Sequence, residues 1–199
     1  EQMGQYDLVN TYVGLFSPLA CLALYEGMYR WLLDKNTLDG DILKTGLFVS
    51  TVAIAIFDVV VTVFLKIIGY IYIIEFVTLV TVSALYMILQ FITRGLRNNK
   101  IYAVQGIIYS ATLLLGNFIL VIRFRLQARG LLLSMIFAYV VTILFMIIVQ
   151  HLKTNYIVKG TVDVKLARDL VKYSLPIVPN NIAWWLVSAS NRIVINWGM

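Results

Sequence analysis

Six stretches of this chain, at about residues 8–29, 45–66, 70–92, 101–122, 130–150 and 176–199, are apolar almost without interruption. Each is long enough to cross a bilayer, for which roughly 20 consecutive apolar residues suffice. Hydrocarbon offers no water to the backbone, so segments of this length are expected to bond their own N–H and C=O groups as helices. The chain therefore reads as an all-α, polytopic membrane protein with about six transmembrane helices. Its composition agrees, with 61% apolar and 13% charged residues, against about 45–50% and about 25% in soluble domains.

The charges are placed as membrane connectors place them. "RWLLDKNTLDGDILK" joins the first span to the second, "RGLRNNK" the third to the fourth, and "HLKTNYIVKGTVDVKLARDLVKYS" the fifth to the sixth. These hold eleven basic residues: Arg30, Lys35, Lys44, Arg94, Arg97, Lys100, Lys153, Lys159, Lys165, Arg168 and Lys172. The opposite connectors hold four, Lys66, Arg123, Arg125 and Arg129. Loops rich in Lys and Arg stay cytoplasmic, so the first group sets the inner side and the chain's first residues face outward. The net charge of +6 is accounted for by this bias and implies a membrane surface, not nucleic acid, as partner.

The chain opens on "EQMGQYD", with no initiator methionine, charged n-region or cleavage site, and stops at Met199 inside an apolar stretch. The expectation is an internal fragment, with one further helix upstream running from inside to outside. Residues 163–173 differ from the spans. Val164, Ala167, Leu170 and Val171 recur at helical spacing while Lys165, Arg168, Asp169 and Lys172 take other faces, the pattern of an interfacial amphipathic helix. Pro176 and Pro179 then suit the first turn of the next helix or a kink just inside it. Three parts follow: a transmembrane bundle over 1–150, a cytoplasmic linker over 151–175, and a further helix over 176–199.

Three motifs carry a family resemblance. "YSLPIVPNNIAWWLVSASNRIVI" is similar to the start of the central helix in bacterial polysaccharide-biosynthesis transporters, the flippases of lipid-linked oligosaccharides. "GQYDLVNTYVGLFSPLACLALYEGMYRWLLD" resembles that family's second helix with its preceding loop, and "TRGLRNNKIYAVQG" its fourth-to-fifth connector. The resemblance runs over essentially the whole chain in order. It implies a flippase-type helical bundle of the multidrug/oligosaccharidyl-lipid/polysaccharide flippase superfamily. The fragment would cover helices two to seven: the N-terminal bundle without its first helix, and the first helix of the C-terminal bundle.

Arg192 lies within the last span, and a mid-membrane charge costs on the order of 2.5–3.5 kcal/mol, so it is expected to face a partner or a watery cavity. Asn181, Trp185, Ser188 and Arg192 follow at steps of four, three and four residues on one helix face, a stripe polar enough to line a lumen. A guanidinium binds phosphate oxygens bidentately, so a lipid-pyrophosphate head is a natural ligand. The alternative is that Arg192, about 24 Å along a helix from Pro176, snorkels to the outer interface. Glu26 and Arg30, four residues apart, are expected to pair, either structurally or with Glu26 holding Arg30 at the inner mouth of a cavity. Asp58 stands roughly 12 Å below the outer boundary marked by Lys66. There a carboxylate needs a cation, a proton or water, and serves either ion coupling or pairing with an Arg. Glu75 reads as interfacial. Asn10, Ser17, Cys21 and Asn117 read as helix-to-helix contacts. Trp31, Trp184, Trp185 and Trp197 read as belt and packing residues, with sugar stacking a second possibility for Trp185.

Enzyme chemistry finds no constellation: His151 is the one histidine and Cys21 the one cysteine, too few for a metal cage, and no phosphate loop follows a strand. No cofactor or metal is called for. The expected function is non-enzymatic. The protein would move a polyprenyl-pyrophosphate-linked oligosaccharide (an O-antigen, capsule or exopolysaccharide repeat unit) from the inner to the outer leaflet of the cytoplasmic membrane by alternating access. Expected partners are membrane lipids and, through the resemblance, polysaccharide polymerase and glycosyltransferases. The alternatives are a cation-coupled multidrug exporter of the same superfamily, or a non-transporting scaffold of a glycan-assembly complex.

Overall fold

A computed structural model describes the backbone of residues 2–34, 38–151 and 160–197, and their side chains except those of 2–5 and 190–197. The described residues form eight α-helices: α1 Gln2–Ala20, α2 Leu24–Leu33, α3 Asp39–Ile68, α4 Ile73–Gly95, α5 Asn99–Asn117, α6 Gln127–Val149, α7 Val164–Ser174 and α8 Ile177–Trp197. The all-α expectation holds among them. α3, α4, α6 and the run from Asn99 to Arg123 are each long and apolar enough to cross a membrane. α1 and α2 make a fifth candidate only if taken together.

The first expected span is thus not one continuous helix. α1 and α2 meet at a 55° bend, where Leu22 and Ala23 both take left-handed backbone with φ of 51°. Neither is glycine, and each such residue costs about 1–2 kcal/mol. The break falls one turn after Pro18, not before it, where a proline's missing N–H and ring clash would act. What holds it is tertiary: Cys21, Ala23 and Leu24 are fully buried.

α3 starts six residues earlier than the apolar run because Asp39 and Asp41 stand in its first turn, where negative charge suits the helix dipole. It ends on Gly69, whose φ of 75° is a left-handed cap, with the Tyr70 N–H returning to the Leu65 carbonyl. α5 runs into π-helical turns over Phe118–Arg123. Gly116 lets it approach α6 closely: a Cβ there would fall 2.9 Å from that of Ser134. The Ser134 hydroxyl donates to Asn117, a helix-to-helix bond of the expected kind. Ser17 and Cys21 instead bond carbonyls of their own helix.

α4 is the hub, packed against α1, α2, α3, α5 and α6. Leu79, Ala84, Ile88 and Ile92 of α4 are fully enclosed together with Leu24 and Met28 of α2 and Met146 of α6.

α7 exists where helical spacing placed it, and it docks through a face rotated from the expected one: Leu170 and Val171 are on it, Val164 is not. Its cap is Asp163, whose carboxylate accepts from the Lys165 and Leu166 N–H groups. Leu166, Leu170 and Ser174 are buried, while Val164 is 78% exposed. The stripe at i, i+4 and i+8 faces α2 and α3, so protein, not lipid headgroup, covers it. Gly27 makes the approach possible, since a Cβ there would lie 2.6 Å from the Ser174 hydroxyl. The linker just before α7 is fastened to the start of α3. Asp41 accepts from the Thr161 N–H at 2.6 Å and hydroxyl at 2.9 Å, and Lys44 donates to the Gly160 carbonyl at 2.8 Å. The "LDGD" turn that opens α3 is therefore also a clasp.

Candidate functional site

The residues expected to line a cavity divide between two places. At the end of the bundle where α2, α4 and α6 finish and α3 and α5 begin, Arg30 is exposed in the last turn of α2. Its guanidinium lies 4.6 Å from the Tyr173 ring of α7 and 5.9 Å from Trp31. The expected pairing with Glu26 is not formed: among the described residues the ion pair is Arg129 with Glu75, at 3.3 Å. The cation lies against α7, whose docking brings Tyr173 under it. An aromatic face attracts a guanidinium without neutralising it.

The second place is a cleft of about 180 Å³ between α1 and α8, roughly 24–30 Å from Arg30 along the first helix pair. Asn10, Thr11 and Gly14 line it from α1, and Trp185, Ser188 and Ala189 from α8. The Trp185 indole N–H donates to the Thr11 carbonyl at 2.8 Å, and its ring stacks on Tyr12. Asn181 donates to the Tyr25 hydroxyl at 3.1 Å, which ties α8 to α2. Ser188 is exposed, its hydroxyl turned back to the Trp184 carbonyl. The stripe does share a face, and that face meets α1. Asn10 joins it from the helix opposite. The Arg192 side chain lies outside the described residues.

Asp58 sits on α3 with one carboxylate oxygen accepting from the Thr81 hydroxyl of α4 at 2.7 Å. Its other oxygen is buried and, among the described residues, meets no protein donor and pairs with no arginine. Of the two roles set out for it, the structural one thus has Thr81 as partner. Glu75 holds Arg129 at the opposite end of the bundle, and Arg129 lies over Tyr72, the interfacial setting expected of it.

Beside Asp58, α3 diverges from α1. Between them opens an apolar groove of about 880 Å³, lined by Leu8, Tyr12, Phe16, Val60 and Phe64 and closed at one end by Tyr70 and Tyr72.

Sequence reasoning missed three features. Arg94 is surrounded by the rings of Tyr29, Phe91 and Tyr102. Tyr86, Tyr109 and Tyr139 cluster at centroid distances of 4.9–5.7 Å. Within the core, Gln150 donates to the Thr93 hydroxyl at 2.7 Å. Each joins residues from different helices, so no local spacing announces it. No group of three or more potential metal ligands occurs among the described residues.

Comparisons with protein-family models, with curated proteins and with solved structures returned no match for this chain.

Proposed function

We propose that this chain is part of a flippase that accepts a polyprenyl-pyrophosphate-linked oligosaccharide at the inner leaflet of the cytoplasmic membrane and releases it at the outer one, without chemical change to the substrate. The observation that supports this most is Arg30: an exposed guanidinium at the basic end of a membrane-length bundle, stacked on the Tyr173 ring and with no carboxylate partner among the described residues. Such a group keeps its in-plane N–H donors for phosphate oxygens. Asn181, Trp185 and Ser188 along the α1–α8 seam fit a path for the saccharide, polar yet walled by rings. Arg192 would extend that path, and Asp58 would take up the coupling cation or proton through its unpartnered oxygen. Glycosyltransferases and a polymerase would act before and after this step.

The Arg30→Ala variant is expected to abolish export of surface polysaccharide while reaching the membrane in normal amount. Undiminished export overturns the reading.

One observation favours a second reading, a cation-coupled exporter of cationic amphiphiles. The described mid-span charge is the acid Asp58, and an open apolar groove lies beside it. Vesicles holding the protein would then move a cationic dye and leave a fluorescent lipid-linked sugar in place; the flippase does the reverse. A scaffold moves neither.

A further inference from the structure

The geometry points to a headgroup site for an anionic phospholipid at the α4–α5 turn, built on Arg94 in its cage of Tyr29, Phe91 and Tyr102, with Arg97 and Lys100 beside it. This goes beyond transport, because it concerns a resident lipid of the bundle and holds whichever substrate is carried.

Four observations carry it. The Arg94 guanidinium lies 5.3 Å from Tyr29, 5.4 Å from Phe91 and 5.5 Å from Tyr102. These rings come from α2, α4 and α5, so three helices converge to cover the cation, and it is nevertheless solvent-exposed. Second, its own stretch of chain supplies no acid. Between Glu75 and Asp163 the sequence contains no Asp or Glu at all, and among the described residues Arg94 makes no ion pair, unlike Arg129, which has Glu75. Third, Arg97 occupies the left-handed position that ends α4, with φ of 58°, and the Asn98 N–H reaches back to the Thr93 carbonyl. Glycine is the usual residue there, so the turn carries a cation where backbone preference alone would not put one. Arg97 and Lys100 are both exposed.

The fourth observation selects the ligand. α4 and the run starting at Asn99 both have membrane-crossing length and apolarity, so the turn joining them lies at the depth of lipid headgroups. A phosphodiester there meets Arg94, Arg97 and Lys100 in a run of chain that holds no acid from residue 76 to 162. Rings pack around the guanidinium while it stays exposed, and an exposed guanidinium can donate paired hydrogen bonds to two phosphate oxygens. A zwitterionic headgroup adds an ammonium that the same cations repel, so the site should prefer phosphatidylglycerol to phosphatidylcholine.

The test is thermal unfolding of the full chain in neutral detergent, titrated with short-chain phosphatidylglycerol, short-chain phosphatidylcholine or inorganic phosphate. Phosphatidylglycerol is expected to stabilise the protein at concentrations about tenfold below phosphatidylcholine, and phosphate to have no effect in that range. Arg94→Ala should raise the phosphatidylglycerol midpoint about tenfold, and Arg123→Ala, at the opposite end, should leave it unchanged. Arg94→Lys keeps the charge and the fold and should fall between the two, because an ammonium lacks the flat fork. Tyr102→Leu keeps every charge and should still weaken the response. The proposal is overturned if the two lipids act alike, if phosphate alone reproduces the effect, if Arg94→Ala and Arg123→Ala titrate together, or if Arg94→Lys and Tyr102→Leu both match the unaltered protein.

Discussion

α3 and α4 are consecutive, joined by a short turn, and the sequence marks both as spans. Within the protein they live differently. Half of the membrane-crossing stretch of α4 is buried, against 11% of that of α3. α4 carries Ser83, Ala84, Thr93 and Gly95 on its buried positions, small residues that let neighbouring backbones come close. In α3 the buried positions Ile42, Leu43, Thr45, Gly46, Ser50 and Ile54 stop at the middle of the helix. Beyond them Val59, Val63 and Ile67 face outward, and the groove against α1 opens. Apolarity thus decides that a helix belongs in hydrocarbon, while small and hydroxylated positions decide which helix the others gather round.

The comparison breaks most visibly at Gly95. A Cβ there would lie 2.7 Å from Cδ1 and 2.9 Å from Cβ of Leu32, so Gly95→Leu must push α2 off the hub. We expect a loss of about 3 kcal/mol or more, seen as a lowered unfolding temperature in detergent. Ile67→Ala, at a position 80% exposed, should cost under about 0.5 kcal/mol. Equal losses would mean that the outer half of α3 is covered in the working protein. Next in size is Thr93→Val. It removes the acceptor of the Gln150 amide, whose oxygen is already unpartnered, and should cost about 1–2 kcal/mol by the same measurement. Smaller than Thr93→Val is Asp41→Ala, which opens the clasp at the anchored end of α3. Its two bonds to Thr161 are exposed, so about 1 kcal/mol is expected. The sharper readout is faster proteolysis of the segment before α7, with the spans left intact.

What the sequence made legible was whatever a single helix decides alone. The spans over α4, α5 and α6 follow from apolar runs, and α7 from spacing. The shared face of Asn181, Trp185 and Ser188 follows from steps of three and four residues. What stayed hidden was whatever two helices decide together. The apolar face of α7 is legible only in part: Leu170 and Val171 lie on the docked side, while docking on Gly27 adds Leu166 and Ser174 and leaves Val164 exposed. The partner of Arg30 was sought at i−4 because that is where local geometry puts one. The ring that takes it, Tyr173, reaches it only through that same docking. The break after Ala20 had no glycine to signal it.

That break has an experimental consequence. The sole thiol of the chain, Cys21, is completely enclosed at the elbow between α1 and α2. While the elbow keeps its angle, water-soluble maleimides are shut out; motion that parts the two arms lays the sulfur bare. Alkylation kinetics of the unaltered protein therefore time the opening of its first helix pair, with no engineered label.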